Sequence, residues 1–232
     1  MNPTMDNFYD LLLVTGSSVV PFSRYIFNSV VVTVATVFFG TIFAAMAAYP
    51  LSKHRSMPFG KHIFMMIIMA LMFAPVVLQI PQYMIVTGMG LMNTYWALII
   101  PGLAGPTFLF LTKQFLDQIP DALLEAARID GASEWTSFWK IIMPMLKPAL
   151  SAVVLFSFIQ TWNDAGGAML YTTSESMKTL PLALSTISGG AGVVAQVGAG
   201  AAAAFLTIIP TILVFIITQR MVLETMAHSG IK

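Results

Sequence analysis

From His62 to Thr112 the chain runs for 51 residues without an aspartate, glutamate, lysine or arginine. A spanning helix needs about 20 mostly apolar residues, so this stretch is too long for one crossing. Turn residues mark a division at Thr87-Gly88-Met89-Gly90-Leu91-Met92-Asn93, with Pro81 just ahead of it. The rest of the 232-residue chain agrees: 57% of it is hydrophobic, 9% is charged, and the mean hydropathy is +0.83. A soluble domain carries about a quarter charged residues, so this chain cannot cover its surface with charge. The composition predicts an all-α polytopic membrane protein. The net charge of +1 lacks the basic stripe that nucleic acid demands. The absence of cysteine excludes a disulfide framework, a thiolate metal site and a cysteine nucleophile.

Five spans are expected: Tyr25 to Pro50, residues 63–83, residues 93–112, Pro148 to about Gly166, and about Gly198 to Val222. Pro75 and Pro210 fall inside two of them and predict kinks. Residues 167–197 are rich in Gly, Ser and Thr and predict an external loop. The first eleven residues lack the basic start and apolar run of a signal peptide; residues 1–24 are expected to form an external N-terminal segment, leaving 25–232 as the transmembrane domain. Basic residues set the orientation. Lys53, Arg55, Lys61, Lys113, Arg128, Lys140, Lys147, Arg220 and Lys232 fall on one side, against Arg24 and Lys178 on the other. This puts the C-terminus in the cytoplasm and the N-terminus outside.

The cytoplasmic loop 113–147 packs nine charged residues into 35, and its sequence predicts two short helices. Pro120 suits a first helical position and Asp121 a first turn. Ala122 to Ile129 are helix formers, and Gly131 suits a left-handed stop. Ser133 then caps a helix that starts with Glu134 and continues through Trp135, Phe138 and Trp139 to Ile142, where Pro144 is expected to break it. Ala122, Ala126 and Ala127 form a small-residue face beside Glu125 and Arg128. Two readings fit this spacing: a docking surface for a protein partner, or an amphipathic pair lying at the headgroups with Trp135 and Trp139 as anchors.

The series Glu125-Ala126-Ala127, Gly131, Ile141 and Met143-Pro144 resembles the EAA motif found in membrane subunits of binding-protein-dependent ABC importers. Met143 replaces the usual leucine, a volume-conserving departure. Gln114-Phe115, Ile119-Pro120-Asp121, Ile129-Asp130-Gly131-Ala132-Ser133, Lys147-Pro148, Asn28-Ser29, Ala48-Tyr49-Pro50-Leu51 and Trp162-Asn163-Asp164 extend the resemblance to carbohydrate-uptake permeases of the maltose-transporter type. It implies a type I ABC importer permease fold, here with five spans where six are usual, lacking the first helix. Either the sequence is N-terminally shortened or the chain is a five-span variant. It implies coupling helices seated in a cleft of an ATPase: Glu125 as polar anchor, Ala126 and Ala127 as close-packing surface, Gly131 as the turn, Arg128 and Asp130 pairing across the interface, and Pro144 closing the motif. The implied partners are a second, non-identical permease, two ATPase subunits and an external solute-binding protein, in the cell membrane of a prokaryote. No cofactor is expected on this chain; ATP and magnesium belong to the ATPase.

The translocation path is less sharply marked. Trp162, Asn163 and Asp164 near the outer end of the fourth span suit stacking on and hydrogen bonding to a sugar, or an interfacial anchor followed by a helix cap. Gln79 and Gln160 are amides within spans, suited to helix–helix hydrogen bonds or to a ligand. Gly198, Gly200 and Ala201 to Ala204 offer a surface for close helix packing. A stand-alone ion-coupled transporter would carry ionisable residues in mid-span, and the sequence has none there. An intramembrane enzyme would need a nucleophile with a base, and no such constellation is present. His54, His62 and His228 fall at cytoplasmic membrane edges with no second metal-ligand candidate beside them.

Overall fold

The computed structural model describes residues 20–54, 57–188, 201–202 and 204–219, and every regular element among them is helical. Helix α1 is Phe22–Lys53, α2 Gly60–Met72, α3 Pro75–Gly88, α4 Tyr95–Leu103 and α5 Pro106–Leu116. Then come α6, Ala122–Ile129; α7, Glu134–Ser137, running into a π-helical turn at Phe138–Ile142; and α8, Met143–Trp162. Helices α9, Ala165–Tyr171, and α10, Leu180–Ser188, flank a 3-10 turn at Glu175–Met177. Ala204–Gln219 is α11. The all-α fold class read from the sequence is the one observed.

Among the described residues, three helical stretches are long and apolar enough to cross a membrane: Phe22–Lys53, Tyr95–Leu116 and Glu134–Trp162. The expected span 63–83 is instead a broken pair, α2 and α3, bent by 109°. Pro75 does not kink one helix; it starts a second. Its ring disfavours helical backbone in the residue before it, and Phe73 is already extended at φ −78°, ψ 130°. Pro81, read as the approach to a turn, is interior to α3, which runs on to Gly88. The expected fourth span begins earlier than Pro148 because Pro144 does not break the helix. The π turn widens the backbone just ahead of it, with the Met143 N–H reaching the Phe138 carbonyl. A widened turn of this kind takes in a residue that cannot join the regular ladder.

The expected fifth span is described only at 201–202 and in α11, where Pro210 is interior. Gly198, Gly200, Ala203 and residues 220–222 lie outside the described residues, as do residues 1–19 of the expected N-terminal segment. Residues 167–188, read as loop from their Gly, Ser and Thr content, hold most of α9, the 3-10 turn and α10. Leu180, Leu182, Ala183 and Leu184 are buried there, and these apolar positions were masked by the averaged composition. Residues 189–197 lie outside the description.

The chain divides into two compact units. The first comprises Met1–Thr36, Gln79–Gly102 and Phe158–Phe215. Tyr25, Trp162, Leu180, Ala183, Leu184 and Ala202 form one of its cores, and Val86, Ala97 and Tyr171 another. Helices α1 and α4 approach closely in this unit: a Cβ at Gly102 would lie 2.6 Å from Thr36 Cγ2. Asn28 ties the unit together. It is fully buried, donates through Nδ2 to the carbonyls of Ser176 and Lys178 at 2.8 Å each, and accepts from the Tyr95 hydroxyl at 2.7 Å. Ser29 Oγ accepts from the Leu180 N–H at 2.7 Å. The turn before α10 thus has its backbone groups satisfied by two adjacent side chains of α1.

The second unit comprises Val37–Leu78, Leu103–Ser157 and Ile216–Lys232. Its main core joins the end of α1 (Ala45, Ala48, Tyr49) to Leu116, Ile119, Leu124, Phe138, Ile142 and Leu146. The charged segment around α6 and α7 is therefore built onto a hydrophobic core and is not a free appendage.

Candidate functional site: the charged segment between α5 and α8

Helix α6 covers Ala122–Ile129, starting two residues later than expected, and Gly131 terminates it at φ +80°. The Ala132 N–H bonds to the Ala127 carbonyl at 2.9 Å and the Gly131 N–H to the Arg128 carbonyl at 3.1 Å. This crossed pair satisfies carbonyls that the end of a helix leaves without partners. Ser133 caps α7, its side chain accepting from the Thr136 N–H at 3.2 Å. Pro120 and Asp121 lie just before α6, not within its first turn. Asp121 Oδ1 takes Lys53 Nζ at 2.9 Å instead of capping the helix.

The two faces of α6 divide sharply. Leu124 and Ala127 are buried in the core of the second unit, while Ala122, Leu123, Glu125, Ala126 and Arg128 are exposed. Ala127, read with Ala126 as docking surface, therefore packs inward. Ile129 is 87% exposed, an apolar side chain of that size left in the open beside Glu125. With Ala122 and Ala126 it follows the spacing i, i+4, i+7, so it shares their face. Among the described residues the carboxylates of Glu125 and Asp130 make no hydrogen bond or ion pair; their backbone N–H groups are bonded to the Asp121 and Ala126 carbonyls. Arg128, expected like Asp130 to pair across the ATPase interface, is bound within the chain: its Nη2 and Nε both lie 2.9 Å from Glu134 Oε1.

Glu134 is the node of the segment. Its Oε2 accepts from the Tyr49 hydroxyl at 2.8 Å and lies 3.5 Å from His54 Nε2. Three residues after Tyr49, Ser52 Oγ donates to Asp117 Oδ1 at 2.6 Å. Lys53, its side chain only 2% exposed, donates to the Ile119 carbonyl and to Asp121. Trp135 and Trp139 meet edge to face at 5.7 Å and are both exposed. Pro144 is exposed at the start of α8.

The residues read as a translocation path all fall in the first unit. Trp162 is 3% exposed, stacks on Phe158 at 5.6 Å, and donates from Nε1 to the Thr207 carbonyl at 3.0 Å. Its ring is occupied within the chain and has no open face for a sugar. Asp164 caps α9, accepting from the Gly167 N–H at 2.8 Å. Asn163 is exposed and donates to the Ile159 carbonyl at 2.8 Å. Gln79 and Gln160 are exposed.

Residues 37–224 match the family described as the binding-protein-dependent transport system inner membrane component. The chain belongs to that family. Among its relatives is an arabinooligosaccharides transport system permease protein, AraQ, of Halalkalibacterium halodurans, 28% identical over 99% of this chain and 80% of the relative. Another is the sn-glycerol-3-phosphate transport system permease protein UgpE of Yersinia enterocolitica, 32% identical over 88% of this chain and 73% of the relative. In a crystal structure of a bacterial ABC transporter that imports the acidic polysaccharide alginate, one chain shares the fold, with a TM-score of 0.79 at 24% identity over 91% of this chain and 79% of that one.

This inner membrane component of a transport system carries functional candidates that its sequence did not single out. Ile129 entered only as a helix former and as part of a resemblance. Tyr49 entered only as part of a resemblance, and Lys53 only as a topological charge. The signal available for Ile129 was its i+7 register to Ala122. None was available for the bonds from Tyr49 and Lys53, since they join positions far apart in the chain.

Proposed function

We propose that this chain is a permease subunit of an ABC importer for a carbohydrate, and that its segment 113–147 docks on an ATPase subunit. One observation carries the docking reading: α6 has its inner face locked in a core and its outer face open, with Ala122, Ala126 and Ile129 flanked by the unengaged carboxylate of Glu125. Small residues admit a partner's backbone, and an exposed apolar anchor beside a charge suits a cleft that excludes water. The carbohydrate reading rests on the AraQ relative and on the motifs shared with sugar permeases.

In this reading the chain performs no covalent chemistry. ATP and magnesium bind to the ATPase, and closure of two ATPase subunits moves the docked helices as rigid bodies. A second, non-identical permease and an external binding protein complete the assembly. The N-terminus is outside and the C-terminus is cytoplasmic. Among the path candidates, Gln79, Gln160 and Asn163 have the exposure a path residue needs, while Trp162 serves as core and Asp164 as a cap. The UgpE relative raises a phosphorylated polyol as a second substrate class. The two external cations give it little support, since Lys178 Nζ is already held by Glu175 Oε2 at 2.6 Å and Arg24 lies over the Phe27 ring. Recovery of the ATPase with the purified membrane subunits tests the docking: Glu125→Ala and Ile129→Ser are expected to reduce it. Full recovery in both, with loss only in a Trp135→Ala/Trp139→Ala variant, would favour a membrane-surface role.

A further inference from the structure

The end of α1 is fastened to the docking segment at two points. At the first, the Tyr49 hydroxyl donates to Glu134 at 2.8 Å, and Glu134 is in turn held by Arg128 at the end of α6. At the second, Lys53 donates to the Ile119 carbonyl and to Asp121, bracing the chain just ahead of α6. The two points are four residues apart on α1, one turn of helix and so on one face. They flank α6 from before and after it. Tyr49 lies in the core with Leu124 and Phe138, where hydrogen bonds to charged groups are stronger than in water, and the Lys53 side chain is only 2% exposed. A buried lysine is costly unless its charge is matched. A leucine or methionine at position 53 would fill the same space without that cost, so packing alone does not account for the charge.

We propose that Tyr49 and Lys53 are positioning residues that make the end of α1 and the docking segment one rigid body, so that α1 moves with the ATPase as α8 does, although only α8 continues the segment in the chain. The proposal rests on the docking reading above. The two bonds resist separation of α6 from α1, which the hydrophobic contacts alone would let slide.

The chain has no cysteine, so an introduced pair in an otherwise cysteine-free complex reports on chosen positions. Spin labels at Phe39→Cys on α1 and Gln118→Cys before α6 sit on exposed residues outside both fastening points. Their separation is measured in the full complex, without nucleotide and after trapping with MgATP and vanadate. With Tyr49 and Lys53 intact the distance should stay the same within about 2 Å, the scale of small helix shifts. In Tyr49→Phe/Lys53→Met it should move by more than that on trapping, and Lys53→Arg with Tyr49 retained should restore the unchanged distance. A shift with both residues intact, or no shift in the double variant, would overturn the proposal. If the double variant fails to assemble, Tyr49→Phe alone decides on the same criterion, since it removes one oxygen and keeps the ring. Failure to recover any ATPase with the unaltered chain would instead count against the docking reading.

Discussion

Arg128 and Glu134 close the Gly131 turn from either side, guanidinium to carboxylate at 2.9 Å, while the same carboxylate accepts from Tyr49. The turn between α6 and α7 is thereby held by both a backbone conformation and a side-chain bond, and the two differ in weight. The ion pair is half exposed at both ends, and exposed pairs contribute about 0–1 kcal/mol. The left-handed glycine is harder to replace.

Gly131→Leu is expected to be the more damaging change at this turn. No heavy atom lies within 4 Å of a Cβ added there, so the cost comes from the backbone at φ +80° alone. A left-handed conformation costs an ordinary residue about 1–2 kcal/mol. Arg128→Ala should leave ATPase recovery near that of the unaltered chain, whereas Gly131→Leu should reduce it several-fold. Both variants should insert normally. Recovery from matched amounts of membrane checks the order, and equal losses would show that the ion pair matters to the turn as much as the glycine does.

Asn28→Ala should loosen the turn before α10. It strips partners from the carbonyls of Ser176 and Lys178 and from the Tyr95 hydroxyl, and each buried group left unmatched costs about 1–3 kcal/mol. The expected result is a lower melting temperature and faster proteolysis between 172 and 180. Unchanged cleavage there would mean that Ser29 and the apolar core hold the turn by themselves.

The same turn gives a pH dependence. Lys178, bonded to the Glu175 carboxylate, holds its pKa below the usual range, with the Tyr25 hydroxyl adding to the effect. A carboxylate whose pKa is lowered on folding stabilises the fold above its unfolded pKa, near 4.3. That contribution is lost as pH falls through the depressed folded value. Thermal stability should therefore fall between about pH 5 and pH 3 more steeply in the unaltered chain than in Glu175→Gln. The effect is modest, because the carboxylate is partly exposed. Parallel stability curves for the two proteins would contradict it.

The helical class, the end of α6, the Gly131 stop and the Ser133 cap were all legible in the sequence, because each depends on neighbours within a few residues. Pro75 and Pro144 were misjudged in opposite directions. A proline's local effect is fixed, but whether the chain answers with a new helix, as at Phe73, or with a widened turn, as at Phe138–Ile142, depends on the packing around it. Trp162 was ambiguous for a similar reason. Its stacking on Phe158 is local, but the Thr207 carbonyl that takes its N–H is 45 residues away. The fastening of Tyr49 and Lys53 to Glu134 and Asp121 spans 85 and 68 residues, and no periodicity in the chain announces it.

The most direct test of the central claim is uptake into proteoliposomes that contain this chain, its second permease and the ATPase, with the binding protein outside. Labelled arabino-oligosaccharide and labelled glycerol 3-phosphate are compared, with and without ATP inside. The account predicts sugar uptake that requires both ATP and the binding protein, and no uptake by this chain alone. Transport by the lone chain, or uptake of glycerol 3-phosphate without any sugar uptake, would contradict it.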